Sequence, residues 1–130
     1  MANEDEKRKS GAATGAVRRG ADRFLEACLL QLLQHDAGHG YALMEPLAQF
    51  GFTPENVNAS TLYRTLRGME KKGWLSSDWE TGGRGPRRRV YLVTPEGTAE
   101  LKERIATMRQ RLVGIQRLVD IHTAGADGRT

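Results

Sequence analysis

A single cysteine, Cys28, in 130 residues excludes an intramolecular disulfide, and such sparing use suits a reducing cytoplasm. No run of about 18 apolar residues is present, so no transmembrane helix is expected. The opening stretch Met1-Ala2-Asn3-Glu4-Asp5-Glu6 lacks the apolar core of a signal peptide. His35, His39 and His122 do not combine with Cys28 into a metal-ligand spacing, because Gly38 breaks any helix that would align His35 with His39. Catalytic signatures are missing too: no Gly-x-Ser-x-Gly, no phosphate-binding loop, no carboxylate pair with a plausible cleft. These absences argue against an enzyme, a metal- or cofactor-dependent protein and a membrane protein.

What is present suits one soluble domain with a modest core: 38% hydrophobic and 28% charged residues. The net charge of +4 is mild but unevenly spread. Residues 1–20 carry +2, 21–57 carry −4, 58–95 carry +5 and 96–130 carry +1. A basic block beside an acidic one is the footprint of a face aimed at nucleic acid.

Residues 1–20 are polar, small and mixed in charge, and read as a disordered tail. From Asp22 to about Gln34, Phe24, Leu25, Cys28, Leu29, Leu32 and Leu33 make a helix apolar over more than half its circumference, as in a central scaffold. Cys28 reads as a small core residue, since nothing local would expose or activate its thiol. Gly38-His39-Gly40 breaks the chain, and Tyr41 to about Phe50 forms the next helix with Leu43, Met44 and Leu47 inward. Pro46 conflicts with a helix interior, so this helix either starts late or kinks there.

The informative stretch runs from Asn58 to Thr94. Asn58 is a good N-cap, Leu62, Leu66 and Met69 form one apolar stripe, and Gly73 ends the helix. Ser60, Thr61, Arg64 and Arg67 lie mostly off that stripe, with Lys71 and Lys72 in the last turn. For the helix alone, a solvated basic face is an equally good account. Trp74-Leu75 and Trp79 then suggest a strand, and Arg89-Val90-Tyr91-Leu92-Val93 its return. Between them Thr81-Gly82-Gly83-Arg84-Gly85-Pro86 is turn chemistry. Arg84, Arg87, Arg88 and Arg89 crowd the tip and its exit, and such self-repelling charge points to a polyanionic partner. Trp74 and Trp79 are expected to pack at this wing. The fold expected is mainly α with a small β-hairpin wing, a winged helix-turn-helix.

Three segments carry a resemblance to a family. They are Gly40-Tyr41-Ala42-Leu43, the run Thr61-Leu62-Tyr63-Arg64-Thr65-Leu66-Arg67-Gly68-Met69-Glu70-Lys71-Lys72-Gly73, and Gly85-Pro86-Arg87-Arg88-Arg89-Val90-Tyr91-Leu92-Val93-Thr94. In this order the chain resembles the PadR family of winged helix-turn-helix transcriptional regulators over about residues 23 to 120. The resemblance implies a DNA-binding domain over 21–94 in which Tyr41 contacts a phosphate. Ser60, Thr61 and Arg64 would then sit nearest the bases. Tyr63, Arg67 and Lys71 would hold the backbone, unless Tyr63 packs inward, and Arg84, Arg87 and Arg88 on the wing would engage phosphates or a minor groove.

Thr94, Pro95 and Glu96 then start a helix expected to span 95–123, before a short tail of 124–130. Leu101, Ile105, Met108, Leu112, Ile115 and Val119 recur at alternating four- and three-residue spacings, the seam of a coiled coil. A domain of about 75 residues is not expected to cover such a helix, so the chain is expected to be a homodimer. Short PadR-like regulators with one C-terminal helix look the same. The expected partners are double-stranded DNA with a near-palindromic operator and a second copy of the chain, in the cytoplasm. The resemblance also implies that some members bind small aromatic or cationic compounds at the dimer interface. In this chain any such effector is expected between the first and last helices, lined by Leu25, Met108 and Leu112. The rival reading is a winged-helix protein-interaction module that does not bind specific DNA, and the +5 segment argues against it.

Overall fold

The computed structural model describes residues 22–80 and 88–127. The tail of residues 1–20, the wing tip with Arg84 and Arg87, and residues 128–130 lie outside the described residues.

Helix α1 spans 22–35, and the domain is built around it. Leu25, Ala27, Cys28, Leu29, Leu30 and Leu33 are all buried, so the helix is enclosed on most sides. Each large side chain among them contributes on the order of 1.5–3 kcal/mol by leaving water. Gly38–His39 form a two-residue strand, β1, where the sequence suggested only a break. The segment after it is not one helix. A 3-10 turn over Gly40–Leu43 leads into a single α-turn, α2, at Met44–Leu47, and a second 3-10 turn over Ala48–Phe50 follows. Pro46 is the third residue of α2 and falls in its first turn, where amides have no intrahelical acceptor. The late start therefore absorbs the proline without losing a hydrogen bond.

Helix α3 spans Ala59–Lys71. Asn58 caps it, its side-chain oxygen accepting from the Thr61 amide at 2.9 Å. Leu62, Leu66 and Met69 are fully buried against α1 and the sheet. The helix stops in a Schellman arrangement: Gly73, at φ 85°, donates to the Glu70 carbonyl, and Trp74 donates to that of Met69, both at 3.0 Å.

Strands β2 (Leu75–Trp79) and β3 (Arg89–Val93) form the wing hairpin. They pair antiparallel with Ser77 opposite Tyr91. On its other side β3 pairs with β1, Gly38 opposite Tyr91, so the sheet has three strands in the order β1-β3-β2. Of the residues in these two strands Leu75 and Tyr91 are the buried ones, and both belong to the core.

Helix α4 spans Pro95–Asp127, 33 residues, or about 50 Å. It begins as the sequence suggested, with the Gly97 amide donating to Thr94 Oγ1 at 3.0 Å. It also runs four residues past 123, so 124–127 are helical rather than part of a tail. Leu101 is buried, and Ile105 and Met108 are half-buried against the same core that α1 supplies. This corrects the expectation that the domain cannot cover the seam: its first three positions pack on their own domain. From 109 to 126 every residue is exposed, including Leu112, Ile115 and Val119.

A charged joint fixes α4 to the rest. Glu26 on α1 is the one buried charge among the described residues, 8% exposed. Arg104 of α4 donates through Nη1 to Glu26 Oε1 at 3.0 Å and to the Arg23 carbonyl at 3.0 Å, and through Nε to Glu100 at 3.0 Å. Lys72, the C-cap of α3, reaches the other Glu26 oxygen at 3.4 Å. The Trp74 ring lies against both cations, 4.7 Å from Lys72 Nζ and 4.8 Å from the Arg104 guanidinium carbon. Trp74 thus belongs to the joint between α3 and α4 and not to the wing, contrary to the sequence expectation.

Candidate nucleic-acid interface

The buried stripe of α3 determines what its opposite face can be. Leu62, Leu66 and Met69 point inward, so at 3.6 residues per turn the outward stripe is Ser60, Arg64, Arg67 and Lys71. All four are exposed. Among the described residues, Arg64, Arg67 and Lys71 form no ion pair, whereas Lys72, Arg89 and Arg104 each have a carboxylate partner. The basic residues of this region therefore divide into two groups. One set holds the fold together, and the other presents uncompensated charge along one helix face.

Thr61 is half-buried, its amide given to the Asn58 cap and its carbonyl accepting from Thr65 Oγ1 at 2.7 Å. Tyr63 packs inward, the alternative left open by the sequence. Its ring lies over Gly40, where an added Cβ would meet Tyr63 Cε1 at 2.6 Å, so only glycine lets the 3-10 turn approach α3 this closely.

At the root of the wing, Tyr41 is 50% exposed, unusual for a ring at the edge of a core. Arg88 donates through Nη1 to the Tyr41 hydroxyl at 2.6 Å, and its guanidinium carbon is 5.0 Å from the Tyr41 ring centroid. The His39 ring stacks on Tyr41 with centroids 5.4 Å apart. His39 Nε2 is 2.7 Å from the Glu80 carboxylate at the end of β2. His39, Tyr41 and Arg88 line, with Tyr63, Arg67 and Arg89, a cleft of about 350 Å³ between α3 and the wing.

Glu70 joins the helix to both wing strands and was not among the residues singled out from sequence. Its carboxylate accepts from Ser77 Oγ of β2 at 2.9 Å and lies 3.7 Å from Arg89 Nη1 of β3. Arg89 also covers the half-exposed Trp79, at 5.1 Å from the ring centroid. Burial pushes the Tyr91 hydroxyl pKa above its ordinary value, and the Glu70 charge adds to that rise. The sequence signal for Glu70 was the single acid in an otherwise basic helix end, which needs a cation or a hydroxyl to face.

Of the residues expected to line an effector site, Leu25 and Met108 share the core that α1 supplies, while Leu112 stands apart from them. Leu25 is buried in the core, Leu112 is 63% exposed, and Met108 lies on a groove bordered by Arg23, Glu103, Thr107 and Arg111. The physical reason is the length of α4: Leu112 stands beyond the reach of the domain that buries Leu25.

A scaffold of this topology is shared with known proteins. The model of the transcriptional regulator PadR-like family matches residues 29–103. The chain belongs to this family. Transcriptional regulator Rv3488 of Mycobacterium tuberculosis is 35% identical over 105 residues, 76% of this chain and 91% of that protein. A PadR family transcriptional regulator from Eggerthella lenta is 30% identical, with a TM-score of 0.65, covering 88% of this chain and 96% of that one. A PadR-like transcription factor from Bacteroides fragilis shares the fold at 22% identity, with a TM-score of 0.69 over 80% of this chain and 98% of that one. PadR-like proteins are transcriptional regulators that act on DNA, and the mainly helical fold with a small antiparallel sheet is theirs. The PadR-matched segment ends at residue 103, ahead of the exposed length of α4. Among the described residues no helix is long and apolar enough to cross a membrane.

Proposed function

We propose that this PadR-like chain is a homodimeric, sequence-specific DNA-binding repressor. The observation that carries the DNA-binding mode is the unpaired stripe Ser60, Arg64, Arg67 and Lys71, flanked by Tyr41 and Arg88 at the wing root. Ser60 and Arg64, near the start of the helix, face base edges, while Arg67 and Lys71 take phosphates. Thr61, with its amide and carbonyl engaged, has only its side chain left for DNA. Arg84 and Arg87, which lie outside the described residues, are assigned contacts to phosphates or a minor groove on their charge alone.

Dimerisation is supported by the exposed run of α4, where nothing among the described residues covers Leu112, Ile115, Leu118, Val119 and Ile121. A second copy of the same helix provides a matching apolar surface in a two-fold arrangement. Two recognition helices then address major grooves about 34–36 Å apart on a near-palindromic operator. Release follows when a small molecule seated beside α4, at the groove that holds Met108, alters the separation of those helices.

The test is a salt series. If about four cations per protomer neutralise phosphates, log K falls against log salt with a slope near −7 for the dimer. A slope close to zero contradicts the phosphate-binding mode. A reporter under the operator measures direction, and its output falls when the protein is supplied.

A further inference from the structure

Four residues at the wing root form a closed ring of contacts. The Glu80 amide donates to the Arg88 carbonyl at 2.8 Å, tying the ends of β2 and β3 together. The Glu80 carboxylate is 2.7 Å from His39 Nε2, and the His39 ring stacks on Tyr41. The Tyr41 hydroxyl accepts from Arg88 Nη1 at 2.6 Å, which closes the ring. The His39 backbone is fixed as well, paired with Val90 across the sheet.

Resting on the DNA-binding reading above, we propose that Tyr41 and Arg88 act as a single preformed phosphate clamp and that His39 and Glu80 are its positioning residues. The chemistry follows from donors and acceptors. A phenol oxygen that accepts from Arg88 still has its own proton to donate, and the guanidinium has four N–H groups left after giving one. Both residues line the same cleft beside α3, and a phosphate oxygen seated there is a group that can accept from both. An arginine free at the surface would lose rotamer freedom on binding. One already held by a hydroxyl and by a ring face has lost much of it in advance.

His39 does two things for this clamp without touching DNA. Its ring supports Tyr41, which has half of its surface in solvent and needs a neighbour to fix its rotamer. It also occupies the Glu80 carboxylate, which would otherwise stand as a bare negative charge beside the place where a phosphate docks. Glu80 in turn holds the imidazole in plane and ties the strand that carries Arg88.

The experiment is a double-mutant cycle on operator binding, read by fluorescence anisotropy across a salt series. Arg88→Ala is expected to weaken binding and flatten the salt slope by about 1 per protomer. His39→Ala, which removes no standing phosphate contact, is expected to cost roughly 5- to 10-fold in affinity and to flatten the slope in the same direction. In the Arg88→Ala background the same histidine change is expected to have almost no further effect. Glu80→Gln, whose amide oxygen still accepts from the imidazole, retains most of what Glu80→Ala loses. A His39→Ala protein that unfolds at the wild-type temperature but keeps the full slope overturns the positioning role, as does additivity with Arg88→Ala. If His39→Ala fails to fold, the Glu80 pair decides alone: equal losses in Glu80→Gln and Glu80→Ala overturn the proposal. A wild-type protein that ignores DNA fails earlier and sinks the DNA-binding reading with it. A wild-type binder with an unmoved slope sinks only the clamp.

Discussion

Replacing both Glu26 and Arg104 with apolar residues should cost far less than the two single replacements add up to. Their side chains are 10% and 14% exposed, so each charge has left most of its water and depends on the other. Glu26→Leu leaves Arg104 with Glu100 and the Arg23 carbonyl, so the guanidinium is not stranded. The cost should be about 2 kcal/mol, below the usual range for an orphaned buried charge. Arg104→Met keeps a long stem against the Trp74 ring but leaves Glu26 only Lys72, a half-exposed amine 3.4 Å away. That single change should cost about 3–4 kcal/mol. In the double variant no buried charge remains, the shapes are kept, and the loss should be no more than about 2 kcal/mol, a coupling of about 3 kcal/mol or more. Urea denaturation at one fixed protomer concentration measures all four proteins, provided the dependence on denaturant is unchanged. If the double variant loses the sum of the two singles, the joint is not a mutually compensated pair and this account of how α4 is held is wrong.

Alkaline pH tests the burial of Cys28, whose thiol is pushed from 9.0 up to about 11 by its apolar surroundings. The folded state holds that proton more tightly than the unfolded one, so the contribution is full below about pH 9 and is lost as pH rises toward about 11. Denaturation midpoints should fall across that window by more in the wild type than in Cys28→Ala, and equal declines refute the assignment. Glycine contacts give a paired test. Gly97→Ala would place Cβ 2.1 Å from the Trp74 carbonyl oxygen and should cost at least about 2 kcal/mol. Gly68→Ala meets nothing within 4 Å on a helix and should stabilise by roughly 0.5–1 kcal/mol; thermal unfolding of the two variants reads both. Finally, Leu112→Glu with Ile115→Glu should yield a monomer by light scattering, and weaken operator binding by well over 10-fold by removing the second half-site contact. A dimer that survives both charges places the interface elsewhere.

Local signals were legible wherever a residue's role is settled by near neighbours. Asn58, the Leu62-Leu66-Met69 stripe and Gly73 each announced α3, because capping, periodicity and a left-handed stop act within a few residues. The start of α4 at Thr94 was readable for the same reason. Strand β1 was not, since two residues have no period and their partner strand lies some fifty positions later. Glu26 reads as an exposed helix acid until Arg104, 78 residues away, is brought beside it. The heptad seam misled in part: Leu101, Ile105 and Met108 satisfy a coiled-coil spacing and also suit packing on α1, and only the fold decides between them. Tyr41 and Arg88 were each named as DNA-facing, yet their contact and its support by His39 arise from the sheet.

The most direct test of the central claim is competition on labelled DNA from the gene's own upstream region, using fluorescence anisotropy near physiological salt. The account predicts binding that survives a large excess of unlabelled unrelated DNA and yields to unlabelled operator, with a specificity ratio of roughly 10³ or more. Equal displacement by any DNA would contradict sequence-specific regulation, leaving the exposed Arg64, Arg67 and Lys71 as contacts to backbone alone.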